Sequence, residues 1–152
     1  MELDNRDRLL LNLLQKNSRE SLTGLAKALK LSLDSTHKRI KKLHEKGIIS
    51  RFSIFIDPKV LGFDLVANVS IKLHNISDEQ LNKFIGFLKE HKNVIELITT
   101  LGEYDITCVF IARNTEELEL LFRNVRQKFR DLIADWRSVI NLKVHKFEEY
   151  AL

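Results

Sequence analysis

Cysteine, proline and glycine are all scarce in this 152-residue chain, which holds one Cys, one Pro and five Gly. A lone Cys108 excludes an internal disulfide framework, and so little Gly and Pro excludes collagen-like or low-complexity sequence. Lying within the apolar run 106–112, that cysteine reads as a small strand hydrophobe. Long hydrophobic runs are missing too. Uninterrupted stretches such as Leu9-Leu10-Leu11 fall far short of the roughly 20 residues a membrane-spanning helix requires. The N-terminus opens on Glu2 and Asp4 rather than a basic flank, so an unprocessed, cytoplasmic protein is expected, with no membrane partner.

What is present, 44% hydrophobic and 30% charged residues, suits a packed globular chain. Its net charge of +4 is unevenly placed. Residues 1–62 hold 13 Lys and Arg against 7 Asp and Glu, or +6, leaving 12 against 14, or −2, for the rest. A basic head on a slightly acidic body points to a polyanion partner for the head.

Asp57-Pro58, followed by Leu61-Gly62, is the strongest break in the chain. It sets an expected division into a head at 1–50, a connecting strand and linker at 51–63, and a body at 64–152. In the head, Asp4 and Asp7 are spaced to cap a helix whose inward stripe is Leu9, Leu10, Leu13 and Leu14. Ser21 starts a second helix burying Leu22, Leu25, Ala26 and Leu29, although Gly24 stands where a capping-box Glu would be expected. Ser32 starts a third, with Thr36, Ile40 and Leu43 inward and Gly47 as its stop. Two helices joined by a tight turn, the second carrying many bases, form a helix-turn-helix pattern. The β-branched and aromatic stretch 48–56 reads as a wing or connecting strand.

The body alternates between periods. Strands are expected at 66–73, 94–100, 105–112 and 139–147, with helices at 78–91 and 115–130. This β-α-β-β-α-β order predicts an α+β chain: an N-terminal helix-turn-helix, winged-helix-like domain followed by a ferredoxin-like domain. Strand residues such as Val66, Ile71, Ile98, Val109, Ile111 and Val139 are apolar on both alternating faces. One layer of helices covers one face, so a homodimer burying the other is expected.

The third head helix presents Ser35, His37, Lys38 and Lys41 as base-reading candidates, beside Ser32 at its start. Lys42 and Arg51, with Lys27 and Arg19, are phosphate candidates, and Arg39, next to the inward Ile40, either clamps phosphate or braces the fold. A solvated basic helix is the plain alternative. In the body, Gly102 suits a hairpin needing positive φ, and Asp105 suits bonding to the turn's amides. Trp136 reads as a core or assembly anchor. His37, His44, His74, His91 and His145 are scattered without metal-ligand spacing, and no phosphate loop or nucleophile motif is present. No catalytic residue, metal or cofactor is expected.

The order and spacing of these elements resemble the leucine-responsive/AsnC, or feast/famine, family of transcription regulators. The resemblance is carried in the head by Leu3-Asp4, Asp7, Asn17-Ser18-Arg19, Leu25-Ala26, Leu31-Ser32, Arg39-Ile40, Gly47-Ile48-Ile49 and Ile56-Asp57-Pro58. In the body it is carried by Leu101-Gly102-Glu103-Tyr104-Asp105, similar to that family's Gly-x-x-Asp turn. It implies double-stranded DNA as a partner, dimers assembling into larger rings, and an amino-acid effector held between dimers. By resemblance the effector contacts are Thr100, Leu101, Gly102, Tyr104 and Asp105, with Arg137 and Ser138 from a neighbouring strand. Asp131 to Trp136 replace that family's Pro-Gly-Val-like turn, and Gly24 and Lys30 replace its more usual Glu and Gly. Two other readings stand beside this one. Some haem-biosynthesis decarboxylases resemble the same two-domain architecture, though their Tyr-Asn and Trp-Phe signatures are absent here; the other is a ligand-binding assembly protein without DNA affinity.

Overall fold

The computed structural model describes residues 2–74 and 76–152. It contains two compact units, one of residues 1–55 with 145–152, the other of residues 56–144. The division falls close to Asp57-Pro58, but the last eight residues group with the head rather than with the body.

Three helices build the head: α1 (Asn5–Lys16), α2 (Leu22–Leu29) and α3 (Leu33–Glu45). Each begins on the residue its chemistry favours. The Asp4 carboxylate accepts from the Asp7 backbone N–H at 2.7 Å, and Asp7 returns the bond in a capping box, while Ser21 and Ser32 accept from the N–H groups of Gly24 and Ser35. Leu10, Leu25, Leu29 and Leu43 form the fully buried centre, with Ile40 and Ile49 packed against it. Leu9 does not join the expected stripe: it is exposed, and Leu3 and Leu11 pack inward instead. Gly47 ends α3 at φ +70, where the Ile48 N–H reaches back to the Leu43 carbonyl.

The turn between α2 and α3 is tighter than a lysine prefers. Lys30 adopts the left-handed conformation, φ 54 and ψ 51, which costs a residue with a Cβ about 1–2 kcal/mol. Lys30→Gly is therefore expected to stabilise the head by roughly 0.5–1 kcal/mol, read as a raised denaturation midpoint. An unchanged or lowered midpoint would contradict this account of the turn.

The expected strand at 48–56 does not form. Among the described residues this stretch joins no sheet and leaves Phe52, Ile54, Phe55 and Ile56 exposed. Its β-branched and aromatic residues give it strand propensity, but propensity without a pairing partner does not make a strand. The tail lies against the same unit. The Gln15 side chain accepts from the Tyr150 N–H at 3.0 Å and donates to its carbonyl at 3.4 Å, and Phe147 meets Phe55 edge-on at 5.3 Å.

The body is a four-stranded antiparallel sheet in the order β2-β3-β1-β4, with strands β1 (Leu65–Leu73), β2 (Val94–Thr99), β3 (Ile106–Ala112) and β4 (Ile133–Ile140). Helices α4 (Asp78–Glu90) and α5 (Thr115–Lys128) complete the β-α-β-β-α-β order of the ferredoxin-like arrangement. Alternate residues Ala67, Val69 and Ile71, with Ile106, Cys108 and Phe110, pack on the helices around Phe84, Leu88 and Val125. Burial pushes the Cys108 thiol up to about 12, so it stays protonated and packs as a hydrophobe.

The last strand lies earlier than its sequence period suggests. β4 covers Ile133–Ile140, pairing Ile71 with Trp136, so residues ahead of the expected strand at 139–147 are strand, and Leu142 and Val144 lie outside the sheet. Trp136 packs with Phe110 and Phe122, at ring separations of 6.3 and 5.3 Å, and serves the core. The open sheet face is mixed: Val66, Val109, Ile111, Ile98 and Val139 share it with Asn68, Ser70, Lys72 and Arg137.

Candidate nucleic-acid interface and effector turn

The outward surface of α3 carries exposed Ser35, His37, Lys38, Lys41 and Lys42. Its two central lysines are held by acids one turn away. Lys38 Nζ lies 2.7 Å from Asp34 and Lys41 Nζ lies 3.7 Å from Glu45. The Asp34 hydrogen bond and charge hold the Lys38 ammonium above its usual range. Among the described residues, Lys42 and Arg51 have no acidic partner, and both are exposed. The Ser32 hydroxyl is occupied by its cap, accepting from the Ser35 N–H at 3.2 Å and donating to the Ser35 hydroxyl at 2.9 Å.

Arg39 takes the bracing role. One guanidinium nitrogen, Nη1, donates to Asp4 at 2.8 Å and to the buried Asp7 at 2.6 Å. Each carboxylate thus divides its oxygens between the cap of α1 and a cation from α3. Backbone hydrogen bonding from Asp7, and then Arg39, hold the Asp4 carboxyl below the usual range, while the two carboxylates raise Arg39 further. The helix that faces outward is thereby fixed to the one beneath it.

The turn between β2 and β3 is also internally bonded. The Thr100 hydroxyl donates to the Tyr104 carbonyl at 2.6 Å, and the Thr100 N–H donates to the Asp105 carbonyl at 2.8 Å. Asp105 reaches β1: its N–H donates to the Ile71 carbonyl at 3.0 Å, and its carboxylate accepts from the Leu73 N–H at 2.7 Å. The amide it bonds belongs to β1 rather than to the turn. Gly102 also differs from expectation, because its φ is not positive and a Cβ there would meet nothing within 4 Å. Neither backbone conformation nor packing within this chain calls for glycine at that place.

Around this turn Tyr104 donates its hydroxyl to Asp135 at 3.0 Å, and the Arg137 guanidinium lies over the Tyr104 ring at 5.7 Å. The Asp135 hydrogen bond, then desolvation, raise the Tyr104 hydroxyl above its usual range. Leu101 is fully exposed. Ser138 does not join the group: it pairs with Val69, whereas Arg137 pairs with Ser70, so the pleat places the two on opposite sheet faces. Among the described residues, no group of three His, Cys, Asp or Glu could hold a metal ion, and no helix is long and apolar enough to cross a membrane.

Residues 3–50 match the family described as winged helix-turn-helix DNA-binding, and residues 66–149 match the Lrp/AsnC ligand binding domain. The chain belongs to the Lrp/AsnC family of DNA-binding transcription regulators. Curated relatives in this family include the HTH-type transcriptional regulator Ptr1 of Methanocaldococcus jannaschii, 38% identical over 76% of each chain. LrpA of Pyrococcus horikoshii is 37% identical over 80% of this chain and 84% of its own. Among solved structures, an AsnC family regulator from Agrobacterium tumefaciens superposes with a TM-score of 0.86 at 26% identity, covering 98% of this chain and 97% of that one. A Neisseria meningitidis regulator solved as an L-Met complex shares the fold, with a TM-score of 0.86 at 20% identity, covering 96% of this chain and 94% of that one. As an Lrp/AsnC regulator the chain couples a DNA-binding head to a ligand-binding body. Sequence reasoning passed over two exposed residues of these surfaces: Leu33 at the start of α3, and Asp135 as the partner of Tyr104. Leu33 follows its serine cap as Leu22 follows Ser21, so the sequence alone did not mark it as exposed.

Proposed function

We propose that this Lrp/AsnC regulator works as an isologous homodimer that places its two α3 helices in successive major grooves, under control of a small amino-acid effector at the Gly102 turn. The observation that carries the DNA reading is the outward face of α3, presented by a braced helix-turn-helix and bearing exposed His37 and Lys42. Two-fold symmetry makes the site pseudo-palindromic, with half-sites about 10 bp or a multiple apart. Exposed Ile98 and Val139 on the open sheet face support dimerisation through the body. For the effector, the Asp135 carboxylate and the Arg137 guanidinium beside Tyr104 offer opposite charges to an ammonium and a carboxylate, and Gly102 leaves space for a close approach. Such a ligand shifts assembly only by binding the two assembly states with different affinity.

Two substitutions separate backbone contact from base reading. Lys42→Ala is expected to weaken binding to every sequence alike and to lower the salt slope by about 1, whereas His37→Ala changes which sequences are preferred. Unchanged binding by both variants would refute the assignment of α3.

A further inference from the structure

The leading turn of α3 is not basic. Asp34 pairs with Lys38 at 2.7 Å, the Ser32 and Ser35 hydroxyls bond to each other, and the residue foremost in the helix, Leu33, is 50% exposed. Among the described residues, Leu33 stands outside the apolar cluster of the head. His37 and Lys41 follow it at four-residue spacing, the interval that aligns side chains along one side of a helix. In a helix-turn-helix the N-terminal residues of the second helix are those that contact base edges. The chemistry such a residue can recognise is narrow. An aliphatic side chain has neither donor nor acceptor for a base edge, and the one apolar group in the major groove is the C5-methyl of thymine.

We infer that Leu33 is a specificity residue that packs against the 5-methyl of a thymine at one fixed position in each half-site. The inference rests on the reading that α3 enters the major groove. It divides the work of the helix: Leu33 and His37 select sequence near the start, and the unpartnered Lys42 supplies phosphate attraction further along.

The test uses the full chain and an operator selected from random DNA, with deoxyuridine substituted for each thymine in turn. That exchange removes only the methyl group. One thymine per half-site should be sensitive: its replacement should weaken wild-type binding about three- to fivefold, and replacement in both half-sites about ten- to twentyfold. Leu33→Ala should lose the sensitivity at that position while keeping any sensitivity elsewhere. Retained sensitivity in Leu33→Ala, or a wild-type protein indifferent to every methyl in an operator it binds selectively, would overturn the role of Leu33 and leave the placement of α3 standing. A wild-type protein that selects no operator at all would overturn both. Leu33→Ala should keep the wild-type denaturation midpoint to within a small shift, since the side chain is not part of the core.

Discussion

Arg39→Ala is expected to destabilise the head by about 2–4 kcal/mol, below the cost of breaking a fully buried pair because the arginine is partly solvated. The substitution removes the cation that, among the described residues, Asp4 and Asp7 share, and leaves the Asp7 side chain, 8% exposed, without that ion pair. It also releases the capping box of α1, whose carboxylates are oriented by the same guanidinium. DNA affinity should fall with stability, uniformly across sequences, because the whole reading surface loosens. A double substitution, Arg39→Met with Asp7→Leu, should cost less than the two single changes added together, since no buried charge is then left over. Additive costs would show that Arg39 acts by packing rather than by pairing.

The same cluster sets an acid limit. Because hydrogen bonding from Asp7 and Arg39 lowers the Asp4 carboxyl in the folded head, its contribution is fully present above the ordinary carboxylate value of 3.8. That contribution is lost as pH falls through the lowered folded value. The head should therefore lose stability on acidification below about pH 4, and an Asp4→Asn variant should show less of this dependence. An identical acid profile in the two proteins would contradict the assignment.

Asp105→Ala carries the second large effect, a loss of roughly 1–3 kcal/mol, because the Leu73 N–H at the end of β1 loses its acceptor. Asp105→Asn retains an acceptor oxygen and is expected to cost less than about 1 kcal/mol. The pair separates structure from sensing. If an amino acid alters assembly of the wild-type protein and of Asp105→Asn, but not of Asp105→Ala, the residue acts by holding the turn in register. If both variants fold normally and both lose the response, the carboxylate charge itself meets the ligand. Equal stability of Asp105→Ala and wild type, by chemical denaturation, would show that the bond to β1 contributes little.

Local chemistry was legible in the residues and long-range pairing was not. The cap at Asp4 and Asp7, the serine caps of α2 and α3 and the stop at Gly47 follow from side chains acting within one turn of their own backbone. The βαββαβ order followed from switches in hydrophobic period. The position of β4 did not, because residues 139–147 alternate more cleanly than 133–140, and only pairing with β1 selects between them. The strand expected at 48–56 failed for the same reason, having propensity and no partner. At the candidate sites, the residue types were readable but their commitments were not. Arg39 is joined to acids more than thirty positions away, and Asp105 to an amide across the sheet. Spacing within one helix or strand contains neither relation.

The central claim is that the braced α3 helix reads DNA, and competition binding of the full chain to genomic fragments at two salt concentrations tests it most directly. The account predicts that a few fragments resist excess nonspecific competitor and bind more weakly as salt rises, with Lys42→Ala lowering affinity for all of them and reducing the salt slope by about 1. Weak binding that competitor removes equally from every fragment, with no response to Lys42→Ala, would contradict it.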